Sequence, residues 1–369
     1  MTTQTTYLHP DQIFDGDVLR KGYVAVKSGS ITGILDTLPI GATAQTLQGT
    51  LSLGFLDLQV NGGGDALLNN TPTLQAIQTM AAAHRRFGTV GIMPTVITDA
   101  PDVLDRAADA ALQAQGLPDI LGLHIEGPHL SLARRGTHAA QFIRPMDART
   151  LSVVQRLREA DVAVMITLAP EAVSAGQIAD LVAMGAVVSL GHSDATAQQT
   201  RACLTEGASA FTHLFNAMSP MLARAAGVTG AAINSAAYAG IICDGVHVAD
   251  EMVALALRAR PQADTTFLVS DAMATVGGAD HFTLYGQEIR LVDGRLINAE
   301  GALAGAHTTM AQGVVRLITH LGLDPAAALR MATTIPARVM GRPTGLIGQS
   351  LNDCVLLGPD WAVTQTGLA

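Results

Sequence analysis

The sequence predicts an α/β chain: a (β/α)8 TIM-type barrel with a small β-sandwich domain built from both chain termini. Three observations carry this: eight apolar runs alternate with helical segments, the runs are apolar on both faces, and their ends are polar in the same sense. Near-continuous hydrophobicity marks strands buried on both sides, as in parallel sheets. The length of 369 residues suits a large barrel plus an accessory piece.

The runs cover 53–60, 89–98, 119–127, 162–170, 187–193, 208–216, 238–245 and 266–273. Ala-rich segments with helical spacing lie between them, for example 73–87, 101–115 and 174–184. An open doubly wound sheet is the other arrangement open to such a pattern, but eight units with polar strand ends favour closure. Residues 1–52 differ. Short runs at Tyr23–Val26 and Ile31–Leu35 are broken by Gly22, Gly29 and Gly33, which is hairpin chemistry. A similar run, Val355–Leu357, follows the last unit. The expected division is therefore 1–52 plus 341–369 as the β-domain and 53–340 as the barrel.

Composition excludes several functions. Hydrophobic residues make up 49% and charged residues 14%, so a large core is available; with aromatics at 4% it must be aliphatic. A net charge of −9 argues against nucleic acid as a partner, since that needs a basic face. No stretch of 18 apolar residues occurs and no leader is visible, so no membrane contact is expected. Cys203, Cys243 and Cys354 form no CxxC pair, which fits reduced thiols in the cytoplasm.

In such barrels the reacting groups come from the C-terminal ends of strands. Here those ends carry Gln59 and Asn61, then His124 and Glu126 followed by Gly127–Pro128–His129, then His192–Ser193–Asp194, His213 and Asn216, Asp244 and His247, and Asp271. A single buried histidine is ordinarily a hydrogen-bonded core residue. Recurrence at one end of one barrel is different, because burying so many ionisable groups is costly. Glu126, His192 and His213 offer one carboxylate and two imidazoles, the three-ligand pattern of a catalytic metal with an open position. A metal there would activate water and polarise a carbonyl. Asp271 is the free carboxylate suited to carry the proton. Its bland alternative is a helix N-cap, since Ala-Met-Ala follows.

Several longer motifs now fall into order: QVNGGG (59–64), GLHIEGPHL (122–130), RRGTH (134–138), GHS (191–193), THLFNAM (212–218), CDGVHV (243–248), SDAM (270–273) and GALAG (301–305). From about Leu53 to Met340 the chain resembles the N-acetylglucosamine-6-phosphate deacetylases of the amidohydrolase superfamily. The resemblance implies Glu126, His192 and His213 as metal ligands and Asp271 as the proton shuttle. It implies that His138, with Thr137 beside it, touches the sugar. It further implies substrate contacts from Asn216, Ala217, Asp244 and His247, and a loop over the sugar at Leu303, Ala304 and Gly305. Arg224 matches a phosphate-binding arginine that reaches the neighbouring subunit's site, which implies a homodimer. A phosphate wants charge-assisted donors, and Arg224 and His247 supply them in an acidic protein.

The implied reaction is hydrolysis of the acetamide of N-acetyl-D-glucosamine 6-phosphate. The same chemistry on N-acetylgalactosamine 6-phosphate or an unphosphorylated sugar is one alternative, and a metal-free, non-catalytic barrel is another. Departures from the family pattern are also visible. Many amidohydrolases carry HxH on the first strand, where this chain has Gln59 and Asn61, whose amides are poor ligands. One divalent metal per chain is therefore expected, Zn²⁺ first, with Fe²⁺, Co²⁺ or Mn²⁺ suited to the same donors. Ala306–His307 stands where small hydroxyl residues are usual, the Arg224 segment reads RAAG, and LIGQSLND fits the usual closing hairpin only loosely.

Overall fold

The computed structural model describes residues 5–299, 301 and 303–368. Eight parallel strands follow one another in chain order around the sheet: β1 (Phe55–Val60), β2 (Thr89–Ile97), β3 (Leu123–Glu126), β4 (Val164–Leu168), β5 (Val187–Leu190), β6 (Ala210–Phe211), β7 (Tyr238–Ile241) and β8 (Thr266–Leu268). Each lies inside one of the eight apolar runs. The chain just beyond β8 returns to β1, where Val60 bridges Ala272 and the Asp271 amide donates to the Gln59 carbonyl at 3.0 Å. That seam brings the ends of β1 and β8 together, and with them Gln59, Asn61 and Asp271.

All nine residues of β2 are buried, as expected of a strand covered on both faces. Several of the helices between strands bury one apolar stripe and carry recognisable starts. Thr73 accepts from the Ala76 amide ahead of Leu74–Arg85, and Thr196 with Gln199 forms a capping box ahead of Ala197–Thr205. The aliphatic core expected from composition is present, with Ile77, Ile92, Val154, Ile166 and Leu190 among its members.

Both termini contribute to a second, seven-stranded sheet. The hairpin Tyr23–Lys27 with Ser30–Leu35 appears where the glycine-punctuated runs placed it, and Cys354–Leu357 pairs antiparallel with Gln45–Leu53. Leu8, Ile13, Val24, Leu51 and Cys354 form its own small core.

One element was not anticipated. Strands His281–Leu284, Gln287–Val292 and Arg295–Ile297 form an antiparallel insertion between β8 and its helix, Met310–Thr319. Phe282, Leu284, Ile289 and Leu296 of the insertion pack on Ile97 and Met273 at the barrel mouth. No helix starts at Asp271, so the N-cap reading of that residue is overturned: residues 271–273 instead join the seam with β1 and with Ala306.

Candidate active site

The polar strand ends meet over the C-terminal mouth of the barrel. Glu126 ends β3, His192 lies two residues past β5, His213 two past β6 and Asp271 three past β8. His192, His213 and Asp271 all have positive φ, at 48°, 31° and 51°. Non-glycine residues rarely adopt that conformation, and it persists where surrounding structure imposes it. Here it turns each side chain inward as the chain leaves its strand.

Glu126 Oε1 lies 3.0 Å from His213 Nε2 and 3.4 Å from His192 Nε2, and the two Nε2 atoms are 3.0 Å apart. Among the described residues this is the one group of three or more metal-type side chains whose donor atoms all converge. Two imidazole nitrogens and a carboxylate oxygen at such separations need a proton or a cation between them. A tetrahedral ion with ligand bonds of ~2.0–2.1 Å sets its ligand atoms ~3.3–3.4 Å apart, close to this triangle. The donor set therefore fits a divalent metal. His192 is held in the matching tautomer, because its Nδ1 donates to the Arg134 carbonyl at 2.8 Å and leaves Nε2 free.

The electrostatics agree. Burial pushes the Glu126 carboxyl up, but hydrogen bonds and charges from His192 and His213 outweigh it and hold Glu126 well below the usual carboxylate range. Against the effect of its own burial, His213 is raised by Glu126.

Asp271 is joined to the triangle through Gln59, whose Nε2 donates to Glu126 Oε1 at 3.0 Å and to Asp271 Oδ1 at 3.2 Å. Asn61 Nδ2 also donates to Asp271 Oδ1, at 2.6 Å. Both amides thus point N–H groups at carboxylates. Burial, and then the charge of Glu126, raise the Asp271 carboxyl to about 6.

A cleft of about 180 Å³ opens over these groups. Its walls include Asn61, Thr137, His138, Asn216, Ala217, His247, Leu303 and Gly305, all singled out in the sequence. The Thr98 amide donates to His138 Nδ1 at 3.3 Å, so neutral His138 carries its proton on Nε2, which lies 3.9 Å from Glu126 Oε2. Burial, reinforced by His192, depresses His138 to about 3, so it stays neutral. Asp244 stands behind His247, with Oδ2 2.7 Å from its Nδ1. Burial opposes charge on both, yet the pairing prevails, lowering Asp244 and raising His247.

The remaining expected residues lie elsewhere. Arg224 is exposed on the loop after Met218, outside its own chain's cleft. Ala304 is buried against Leu296 of the insertion rather than facing the cleft. Ala302 of the GALAG stretch lies outside the described residues. His124 and His129 bond to Thr95 and Thr167, and to Arg144 and Thr150, outside the cleft lining. Sequence reasoning also missed residues. Ile97 and Met273 wall the cleft, Gly136 faces the His192 ring with φ +55°, and Tyr285 of the insertion donates to the Thr98 carbonyl. Gly136, inside RRGTH, and Met273, inside SDAM, carried a signal.

Residues 50–349 match the amidohydrolase family. The chain belongs to that family. An N-acetylgalactosamine-6-phosphate deacetylase of Shewanella sp. (strain ANA-3) is 40% identical over 344 residues, covering 89% of this chain and 85% of that one. An N-acetylglucosamine-6-phosphate deacetylase of Haemophilus influenzae is 33% identical, over 88% of this chain and 87% of its own. Among solved structures, the N-acetylglucosamine-6-phosphate deacetylase of Pasteurella multocida superposes with a TM-score of 0.91 at 31% identity, covering 99% of this chain and 98% of that one. An aspartate-to-alanine variant of the Mycobacterium smegmatis enzyme, in complex with N-acetyl-D-glucosamine-6-phosphate, gives 0.89 at 31% identity over 98% and 97%.

Proposed function

We propose that this amidohydrolase removes the acetyl group from N-acetyl-D-glucosamine 6-phosphate, giving D-glucosamine 6-phosphate and acetate. The observation that carries the reading is the Glu126–His192–His213 triangle with Asp271 joined to it through one glutamine amide. A divalent ion held by those three residues, zinc in the first instance, would supply Lewis acidity toward the acetamide oxygen and water. Gln59 and Asn61 donate amide N–H groups to carboxylates, which supports one metal per chain.

Asp271 takes the proton from the attacking water and returns it to the departing nitrogen, since an amine anion is too poor a leaving group. A carboxyl raised to about 6 is suited to both halves of that transfer. Neutral His138 presents an Nε2–H donor, and Asn216 with the Ala217 backbone lines the sugar side. His247, kept basic by Asp244, faces the phosphate. Arg224 serves the phosphate of a second copy's site, which makes a homodimer part of this reading. The cytoplasm, where phosphorylated sugars are retained, is the location it implies.

A second reading, the same reaction on N-acetylgalactosamine 6-phosphate, is favoured by the 40% identical relative of that name. The test is metal analysis of the purified protein together with acetate release from the two phosphorylated epimers and from unphosphorylated N-acetylglucosamine. One metal per chain and fastest release from N-acetylglucosamine 6-phosphate are expected. Faster release from the galacto epimer would move the assignment to the second reading. No release from any of the three would overturn both.

A further inference from the structure

The structure contains a clasp that neither the reaction nor the family match accounts for. His192 Nδ1 donates to a backbone carbonyl, that of Arg134, so the tautomer depends on where the loop after β3 sits. That loop is attached to the end of β5 at three points. The Ser131 amide donates to the His192 carbonyl at 2.8 Å, the Arg134 carbonyl accepts from the His192 ring, and Arg134 Nε pairs with Asp194 Oδ1 at 2.8 Å. Asp194 is itself anchored. Glu171, in the turn after β4, accepts from the Asp194 amide and from Ser193 Oγ, each at 2.7 Å. The same loop continues through Gly136 into Thr137 and His138 on the cleft wall.

We propose that Arg134 and Asp194 are positioning residues, whose ion pair fixes the metal-binding tautomer of His192 and the placement of Thr137 and His138 together. Neither side chain lines the cleft, so their effect passes through the loop. An isolated exposed pair contributes little to folding stability. Its consequence here is local, because the partner of a ligating histidine sits on the tethered segment. The inference rests on the proposed metal role of Glu126, His192 and His213.

The test uses full-length protein stripped by chelation and titrated with Zn²⁺ against a chromophoric chelator. Asp194→Ala and Arg134→Ala should each weaken metal affinity by about tenfold, the low end for partners of ligating residues. The double variant should be no weaker than either single one, and KM should rise more than kcat falls. Arg106→Ala breaks a surface pair with Asp102 and should leave affinity unchanged. A wild-type protein that binds no Zn²⁺ would overturn the metal reading itself. Wild-type binding with unchanged affinity in both single variants, or losses that add in the double variant, would overturn the clasp.

Discussion

Two polar layers lie inside the barrel, and they behave differently. The lower one is self-satisfied. His124 Nε2 bonds Thr167 Oγ1 at 2.7 Å and its Nδ1 reaches Thr95 Oγ1 at 3.4 Å, while Thr212 Oγ1 bonds both Thr167 and Ser189 at 2.6 Å. Burial depresses His124 to about 4, so it remains neutral. Two residues further along β3, the upper layer crowds Glu126, His192 and His213 together, and His213 Nδ1 has no hydrogen-bond partner among the described residues. Burial alone therefore does not mark function. A buried histidine with both nitrogens bonded is structure; buried donor atoms converging on one point await a ligand.

The largest effect should come from the upper layer. Asp271→Asn keeps the shape but cannot accept a proton, and should lower kcat by roughly 10²–10⁴-fold with metal and substrate still bound. Steady-state rates with metal content measured in parallel check this. A variant keeping more than about a tenth of kcat would assign the shuttle elsewhere.

The next effect extends the upper layer to a residue outside it. Arg224→Ala should raise KM for the phosphorylated substrate by about ten- to a hundredfold and leave an unphosphorylated analogue almost unaffected. Because Arg224 is exposed on its own chain, the loss should follow dimer formation, measurable by sedimentation. Equal losses on both substrates would make Arg224 structural.

The pH profile gives a smaller and more graded effect. Only the carboxylate form of Asp271 accepts a proton, and its raised value means that this form is lost as pH falls through about 6. A cation beside Glu126 stabilises the carboxylate, so the inflection of kcat/KM should lie at or below that value. Below it the rate should fall by about tenfold per unit. A rate that keeps rising toward low pH would contradict the assignment.

The sharpest contrast between the layers is the mildest in size. His124→Ala should leave metal content unchanged and cost ~1–3 kcal/mol of stability, the range for buried groups left unpaired. His213→Ala should instead lose the metal. Denaturant unfolding and metal analysis of the two variants separate these outcomes, and metal loss in His124→Ala would erase the distinction between layers.

By itself the sequence determined the eight strands, the sheet shared by the termini and the identity of the converging residues. Strands buried on both faces must be apolar throughout, and polar residues at their ends are conspicuous against that background. The apolar pattern alone does not separate His124 from His192, because both are histidines close to the end of an apolar run; the longer motifs around them did. That difference lies in which hydroxyls and carboxylates neighbouring strands bring within reach. The insertion over the mouth was illegible for a related reason: its strands are short and half exposed, and Phe282 and Leu296 gain a core only by packing on Ile97 and Met273. The tertiary structure alone decided the Arg134–Asp194 contact and the amide bridge of Gln59. The first depends on loops and the second on the seam between β1 and β8, whose positions follow from barrel closure and not from local pattern.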